Sequence, residues 1–498
     1  MATEGPYDLV IRGGTVFDGS GGAGMRGDVG VRGDRIVAVG VVVGRGATEI
    51  EAAGLAVTPG FVDVHSHDDL AVLMEPEYPC KVMQGVTTDI VGNCGTAVAP
   101  FAAARPMFRA IGPEVEMEPW EGYAGYLERV DEVRPSLNIA ALVGHGTIRR
   151  AVLGNAERAP DAGELAQMAA YVREGMEAGA VGLSTGLIYE PGRYAATEEV
   201  IALARVLDGR GLYATHMRNE GKYLLEAVAE AIRVGEEGGV AVEISHHKVG
   251  GADNWGKVRE SIKLIEVARA RGLDVTADQY PYTAGSTSLF AVLQNNALNE
   301  RGEEGGLGRA DPANVRIAFC PANHDWEGKS IREMADLFDL PAEEAARKVV
   351  EASVRTTVVI ETMDEADVRM VMAHSTTMIG SDGVPGGSKP HPRLYGTFPR
   401  VLGRYARDEG VVSLAEAVHK MTGMPAVKFG LKDRGSLRAG AFADLVVFDP
   451  ATIADRATYA DPCQFPAGIR AIFVNGVQVA DNGLHTGARP GRALRRGM

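Results

Sequence analysis

Short apolar runs alternate with longer amphipathic stretches through the middle of the chain. In the longer stretches, such as 198–211 and 255–272, apolar residues recur every three to four positions, which predicts helices. The short runs predict buried strands of a parallel sheet, because helices of this kind lie between them. In chain order these runs are GFVDVHSH, VTTDIVGNC, NIAALVGHG, AVGLSTGL, GLYATHMR, VAVEISHHK, DVTADQYPY and TTMIGSDG. Eight such units predict an α/β fold, a TIM-like (β/α)8 barrel over residues 59–433.

The two ends of the chain have a different pattern. Residues 7–58 alternate apolar and polar positions and turn at glycines, and the C-terminal region does the same. There, Asn475 and Gly476 predict a tight hairpin. Because neither end could bury an apolar face alone, we expect a small β-sandwich formed from residues 1–58 and 434–498. The basic C-terminal sequence GARPGRALRRGM is expected to be a solvated tail.

One connection of the predicted barrel is too long for a loop. About 90 residues separate Tyr282 from Thr376, and they include the charged, glycine-rich NERGEEGGLGRADP and the helical pattern EEAARKVVEA. A structureless segment of this length is uncommon inside a compact domain. We therefore expect an inserted lid or subdomain at about 285–372.

Composition and charge exclude several classes of protein. The 498 residues are 45% hydrophobic and carry a net charge of −15, which disfavours nucleic acid or a membrane surface as partner. Four cysteines are too few and too scattered for a disulfide framework. The start, MATEGPYDLV, has no signal-peptide pattern, so we expect a cytoplasmic protein that acts on a small molecule. The oligomeric state is not predicted.

Titratable residues gather where the predicted strands end, which is where barrel enzymes place their sites. The first strand ends in His65 and His67, whose spacing puts both side chains on one face, as expected of metal ligands. The second strand ends at Cys94, which could be a ligand, a nucleophile or a small buried side chain. The fifth and sixth strands end at His216 and His246.

Two histidines and a cysteine suit Zn²⁺. By alternation only one histidine of the sixth-strand pair can face inward, and we choose His246 over His247. After the eighth strand, Asp382 is placed to take a proton from water and return it to a leaving group, although an aspartate there could instead cap a helix.

Cations near these residues suggest an anionic substrate group. Lys248 and Arg393 are the candidates, and for Arg393 a surface salt bridge is the competing interpretation. His145, Tyr189 and Tyr282 are also expected at the barrel mouth, as substrate contacts or as packing residues. The histidines His324, His374, His391, His419 and His485 receive no role.

The ordered motifs HSHDD, GNCG, STGLIYEPG, ATHMRNE, SHHK, YPYTAGST and IGSDG resemble those of the N-acyl-D-amino-acid deacylases (D-aminoacylases) of the amidohydrolase superfamily, along essentially the whole chain. The resemblance implies that Cys94 replaces the carbamylated lysine of many relatives and forms a tight zinc site with His216 and His246. It implies a second, weaker site at His65 and His67. The other implied roles are catalysis by Asp382, substrate α-carboxylate binding by Lys248, Tyr189 and Arg393, and a mobile lid for the insertion.

The implied reaction is hydrolysis of a linear amide, which releases a carboxylate and a free D-amino acid. No cation lies between Ser286 and Asn296, a stretch expected to contact the substrate side chain, so a neutral or apolar side chain is favoured. Hydantoinases and isoaspartyl dipeptidases are the alternatives, but they bridge two metals through a fourth-strand lysine that AVGLSTGL lacks. A non-catalytic binding barrel is a remote alternative, because every candidate ligand is present.

Overall fold

Eight parallel strands form a barrel at the centre of the computed structural model, which describes residues 7–109, 117–299 and 304–497. All but one of the strand residues are buried, because helices cover the outside and side chains fill the inside. In chain order, and in the same order around the barrel, the strands are Phe61–Asp63, Val86–Val91, Asn138–Gly144, Gly182–Gly186, Leu212–His216, Ala241–Ile244, Val275–Gln279 and Thr377–Ile379. We call them the first to the eighth barrel strand. The predicted barrel is confirmed.

The first and eighth strands close the barrel just beyond their carboxyl ends. Ser66 and Gly383 form a parallel bridge, and the amide of Asp382 donates to the carbonyl of His65 at 2.7 Å. The closure therefore joins the two segments that carry the HxH pair and the candidate catalytic aspartate.

Helices surround the barrel and follow its strands in the predicted alternation. Those predicted at 198–211 and 255–272 are found at Thr197–Arg205 and Val258–Ala270. The other barrel helices are Ala71–Met74, Pro79–Val82, Phe101–Arg109, Gly122–Val133, His145–Leu153, Ala162–Ala178, Leu224–Gly238, Glu365–Ala373, Arg393–Arg400 (continued as a π-helix over Val401–Asp408), Leu414–Met421 and Gly423–Lys428, with 3-10 turns at Gly192–Tyr194 and Ala252–Asn254. Among the described residues, none of these helices has the length and apolar character needed to cross a bilayer.

Both ends of the chain share one nine-stranded sheet. Its N-terminal strands are Tyr7–Val16, Met25–Arg32, Arg35–Gly40, Gly46–Glu51 and Ala56–Pro59, and its C-terminal strands are Leu445–Phe448, Ile469–Val474, Val477–Asp481 and Leu484–His485. Ala56–Pro59 pairs antiparallel with Leu445–Phe448, and residues from both ends fill a separate core. Asn475 and Gly476 take positive φ in the predicted hairpin turn. The first six residues of the predicted N-terminal part lie outside the described residues.

The C-terminal tail differs from its prediction. The amide of Leu494 donates to the carbonyl of Ile139, and Ala493 is buried. Arg495 pairs with Asp131 at 2.9 Å. The tail is therefore packed on the start of the third barrel strand rather than solvated, because its backbone bonds to that strand and Asp34 and Asp131 pair with Arg492 and Arg495.

The insertion is a small α/β unit between the seventh and eighth strands. Its three antiparallel strands are Ala284–Ser288, Val315–Phe319 and Thr357–Glu361, with the last one in the middle. Helices Leu289–Gln294, Ile331–Phe338 and Ala342–Ala352 pack on this sheet around their own apolar core, with 3-10 turns at Pro312–Asn314 and His324–Trp326. Residues 300–303 of the glycine-rich stretch lie outside the described residues. Helix Glu365–Ala373, which follows, belongs to the barrel.

Candidate active site

The carboxyl ends of the barrel strands open into a cavity of about 420 Å³, a size typical of small-ligand sites. The insertion covers one side through Ala284–Ser288 and Leu289–Gln294. The predicted site residues that line this cavity are His67, Cys94, Tyr189, His216, His246, Lys248, Ser286 and Asp382. His65 and Arg393 are fully buried and lie directly against Asp382.

Cys94 lies at the centre of a cluster of histidines. Its Sγ is 3.3 Å from His65 Nε2, 3.6 Å from His216 Nδ1 and 3.6 Å from His246 Nε2. Burial raises the pKa of the Cys94 thiol, but the neighbouring histidines outweigh this effect and hold the pKa well below its ordinary value. A buried thiolate beside imidazole nitrogens is a donor set that fits Zn²⁺.

A second group of donors adjoins the first. Asp382 Oδ1 lies 3.2 Å from His67 Nε2 and 3.5 Å from His65 Nε2. These three side chains are close enough to share one metal ion. On its other side, the His65 ring places Nδ1 3.1 Å from the fully buried Asp278, which orients Nε2 toward the cavity.

Glu220 is a buried carboxylate for which the sequence pattern predicts no role. Its Oε1 lies 2.9 Å from His246 Nδ1 and 2.6 Å from Lys248 Nζ, and its Oε2 lies 3.6 Å from His216 Nε2. It therefore orients both histidines so that their other nitrogens face Cys94. Burial would raise the pKa of Glu220, but Lys248 and the two histidines lower it, so the carboxylate is ionised. Its position four residues after His216 is the sequence feature that could have indicated this contact.

Three of these residues have a strained backbone. Cys94, His246 and Asp382 have φ values of 51°, 37° and 49°, in the left-handed region that non-glycine residues rarely adopt. Each lies where a barrel strand ends and its chain turns over the cavity. Such strain is typical of functional sites, where the surrounding structure holds a side chain in one direction.

Donors that have no hydrogen-bond partner among the described residues lie beside Asp382. Arg393 Nη1 lies 2.8 Å from Asp382 Oδ2, yet among the described residues neither Nη1 nor Nε has a hydrogen-bond partner of suitable geometry. The buried Tyr280 hydroxyl also has none there. The Arg393 guanidinium lies over the Tyr280 ring, 4.5 Å from its centre, and Lys248 is 5.9 Å from the same centre. These groups can bind an anion together.

Tyr189 and Ser286 lie on the same cavity. The Tyr189 ring meets the His216 ring edge-on at 4.8 Å, and its hydroxyl is 3.1 Å from Thr287 Oγ1. The carbonyl of Ser286 accepts a hydrogen bond from Arg393 Nη2 at 3.3 Å. The insertion therefore contacts the arginine that also contacts Asp382.

Two predicted contacts are corrected. His145 is buried outside the cavity, with Nε2 2.8 Å from Glu199, because it begins a helix and turns away from the barrel mouth. Tyr282 is also buried away from the cavity, against His391 and Pro392, and Tyr280 takes its place. His247 points away too, with Nε2 2.8 Å from Ser261 Oγ.

Comparisons with known proteins agree with this geometry. A family model described as the amidohydrolase family matches residues 48–480. The chain is 45% identical to a D-aminoacylase of Alcaligenes xylosoxydans xylosoxydans, covering 99% of this chain and 98% of that protein. It is 41% identical to an N-acyl-D-glutamate deacylase of the same organism, over 98% of this chain and 96% of that protein.

Solved structures give the same result. A crystal structure of D-aminoacylase superposes with a TM-score of 0.89 at 41% identity, covering 99% of this chain and all of that one. An N-acyl-D-glutamate deacylase from Bordetella bronchiseptica, complexed with zinc and a phosphonate inhibitor that mimics the tetrahedral intermediate, has a TM-score of 0.88 at 37% identity over 99% and 100% of the two chains. A dihydropyrimidinase from Brevibacillus agri shares the fold, with a TM-score of 0.62 at 16% identity over 98% of each chain.

Proposed function

Because the chain belongs to the amidohydrolase family, we propose that it hydrolyses the amide bond of N-acyl-D-amino acids, releasing a carboxylate and a free D-amino acid. The observation that carries this proposal is the position of the Cys94 thiolate within 3.6 Å of three imidazole nitrogens, beside Asp382. The full-length similarity to D-aminoacylase supports the same activity.

Cys94, His216 and His246 would hold one zinc ion, because one nitrogen of each histidine lies 3.6 Å from the Cys94 Sγ, and His65 with His67, which lie beside Asp382, would hold a second, weaker one. Bound zinc supplies a Lewis acid that polarises the acyl carbonyl and makes water more acidic. The binuclear centre of D-aminoacylase, with one-metal activation and second-metal attenuation, supports this assignment. Glu220 and Asp278 orient the ligand histidines.

Asp382 is the proton carrier in this proposal. Burial alone would raise the pKa of its carboxyl group, but Arg393 and His65 lower it well below its usual range, so the resting group is a base. Its Oδ2 faces Arg393, whereas Oδ1 lies 3.2 Å from His67 Nε2, on the side of the metal ligands, and would accept the proton of the attacking water there. Asp382 then gives that proton to the amine nitrogen as the C–N bond breaks.

Arg393, Lys248 and Tyr280 would bind the substrate α-carboxylate. Arg393 and Tyr280 have polar atoms without a hydrogen-bond partner among the described residues, Lys248 lies 5.9 Å from the centre of the Tyr280 ring, and Asp382 lies between Arg393 and His67. With the carboxylate and the amide both held, the two enantiomers place the side chain on opposite sides of the α-carbon, and the cavity walls would restrict it to one side. This restriction supports selection of one enantiomer, and Tyr189 and Ser286 complete the wall.

We propose a neutral or apolar side chain for the preferred D-amino acid. The insertion presents Phe290, Leu307, Ile360 and Met363 to the cavity. A leucine, methionine or phenylalanine side chain would bury apolar area against these residues.

Chiral analysis of the products from racemic N-acetyl-leucine, N-acetyl-methionine and N-acetyl-phenylalanine tests the proposal. We expect release of the D-amino acids only, by protein shown by elemental analysis to contain zinc. The panel includes cyclic ureides and isoaspartyl dipeptides as controls. Release of L-products alone, or faster turnover of the ureides, would contradict the proposal.

A further inference from the structure

Besides Lys248, a second cation lines the cavity, on the wall opposite the proposed carboxylate site. Arg150 lies in helix His145–Leu153, directly after the third barrel strand. In a closed eight-stranded barrel the third and seventh strands lie across from each other, and Tyr280 follows the seventh. Arg150 is therefore separated by the cavity from Lys248 and Arg393, which follow the sixth and eighth strands.

Within the described ranges, no hydrogen-bond or ion-pair partner accounts for the position of Arg150. Its Nε is buried without a hydrogen-bond partner among the described residues, and no described carboxylate pairs with it. Burial lowers the pKa of its guanidinium below the ordinary value, although an arginine remains charged. Glu190 acts on it electrostatically, but Glu190 Oε1 already accepts hydrogen bonds from Tyr194 at 2.7 Å and Gln294 at 2.5 Å. A half-buried cation without a direct partner indicates a binding site for an anion.

The direction of the substrate shows which part of it reaches Arg150. The carbonyl carbon of an amide carries the nitrogen on one side and the acyl chain on the other. If the α-carboxylate is held on the wall of Tyr280, the acyl chain points toward the second, third and fourth strands. Thr96, Arg150 and Glu190 line the cavity there, whereas the apolar residues Leu307 and Met363 line it elsewhere.

We infer that Arg150 binds the far end of the acyl group and that the enzyme prefers acyl chains ending in a carboxylate, such as N-succinyl-D-amino acids. This inference rests on the proposed function and specifies its substrate class. The guanidinium would form a charge-assisted pair with the terminal carboxylate. Asn155, which also lines this part of the cavity, offers a second polar group.

A matched pair of substrates tests the inference. N-succinyl-D-leucine and N-(4-methylpentanoyl)-D-leucine have acyl chains of nearly equal shape, and only the first carries the terminal charge. We expect wild-type kcat/KM to favour the succinyl compound by about tenfold or more, the size of one charge-assisted hydrogen bond. Arg150→Met should reduce this ratio by about tenfold, and Arg150→Lys should retain part of it. Arg173→Met removes an exposed cation from another helix and should leave the ratio unchanged.

The results that would contradict this inference can be distinguished from those that would contradict the proposed function. An unchanged succinyl preference in Arg150→Met, in protein with normal zinc content and circular dichroism, would overturn the inference. A loss in that variant of turnover of N-acetyl-D-glutamate relative to N-acetyl-D-leucine, with no loss of the succinyl ratio, would overturn it by assigning Arg150 to the amino-acid side chain. If wild type hydrolyses N-acetyl-D-leucine without preferring the succinyl compound, only this inference fails. If wild type hydrolyses no N-acyl-D-amino acid, the proposed function fails as well.

Discussion

Arg393 and Asp382 form a buried ion pair in which Nη1 lies 2.8 Å from Oδ2. The guanidinium is fully buried, and its Nε makes no hydrogen bond within the part of the chain that the structure describes. In the proposed mechanism, this arginine would contact Asp382 through Nη1 and the substrate carboxylate through its other nitrogens. Because Arg393 keeps Asp382 ionised, binding of the substrate carboxylate to Arg393 would affect the protonation state of Asp382.

Asp382→Asn tests the proton carrier. The amide has nearly the same shape but cannot accept the proton, so we expect kcat to fall by about 10²- to 10⁴-fold. Zinc bound by Cys94, His216 and His246 should remain, and elemental analysis with steady-state kinetics measures both. A kcat within a few-fold of wild type would remove Asp382 from the mechanism.

Cys94→Ser tests the metal ligand. The hydroxyl is a poor zinc donor compared with a thiolate, so zinc retained after dialysis against a weak chelator should fall well below that of wild type. Cys463→Ser is the matched control, because Cys463 is exposed and free. Full zinc retention in Cys94→Ser would show that the sulfur is not a ligand.

Substitutions of Tyr280 and Tyr282, the two tyrosines after the seventh strand, should have different effects on kcat/KM. Tyr280→Phe removes a cavity-lining residue's hydroxyl that has no hydrogen-bond partner among the described residues, and we expect kcat/KM for N-acetyl-D-leucine to fall by about tenfold or more. Tyr282→Phe removes a hydroxyl that lies 3.5 Å from the Pro392 carbonyl, outside the cavity, and should change the same quantity little. An equal loss in both variants would contradict the placement.

Much of the barrel could be predicted from the sequence, because its strands and helices follow the periodicity of apolar residues along the chain. Eight apolar runs separated by helical stretches define a barrel, and the carboxyl ends of its strands must meet. The candidate site residues can be chosen because they lie at or just after those strand ends; they are His65, Cys94, His216, His246 and Asp382. Their convergence at one end of the barrel was therefore predictable from the sequence, whereas the contact of His65 with the Cys94 sulfur was not.

The errors arise where the chain leaves a strand. Alternation places Tyr280 and Tyr282 on one face, and only the turn after the seventh strand decides which reaches the cavity. The strand pattern predicts His145 at the barrel mouth, but the third strand passes into a helix at that residue, which turns its side chain outward. Glu220 lies in a loop, whose path has no periodic signal, and Asp278 lies within a strand and acts through His65.

Lys420 should make stability depend on pH in the alkaline range. Burial lowers the pKa of its amine to about 8, and its Nζ donates to the carbonyls of His374 and Thr377. Between about pH 8 and the unfolded value of about 10.4, the unfolded chain binds more protons than the folded one, so the free energy of unfolding rises with pH. Relative to Lys420→Met, wild type should gain about 3 kcal/mol over this window.

Urea unfolding of both proteins at several pH values measures this difference. Other lysines and tyrosines titrate equally in both, so their contributions cancel. Lys263→Met, at an exposed position of helix Val258–Ala270, should follow the wild-type profile. Parallel profiles for wild type and Lys420→Met would show that the buried amine does not titrate in this range.

Lys81 joins the first and eighth strands beneath the active site. Its Nζ is fully buried, 2.6 Å from Asp63, 2.7 Å from Asp68 and 2.8 Å from Ser381 Oγ. Asp89 lies 4.0 Å away, and burial raises the pKa of that carboxyl well above its usual range. One cation thus compensates a group of carboxylates next to the segment that carries Asp382.

Lys81→Met should therefore destabilise the protein by about 3–5 kcal/mol, because it leaves buried carboxylates without their cation. Urea unfolding at neutral pH measures the loss, and Lys263→Met, which removes an exposed lysine, should stay within about 0.5 kcal/mol of wild type. Adding Asp68→Asn to Lys81→Met removes one of the uncompensated charges and should restore part of the stability. If Lys81→Met is as stable as wild type, the cluster does not hold the two strands together. If the double variant is weaker than Lys81→Met alone, charge compensation is not the reason for the loss.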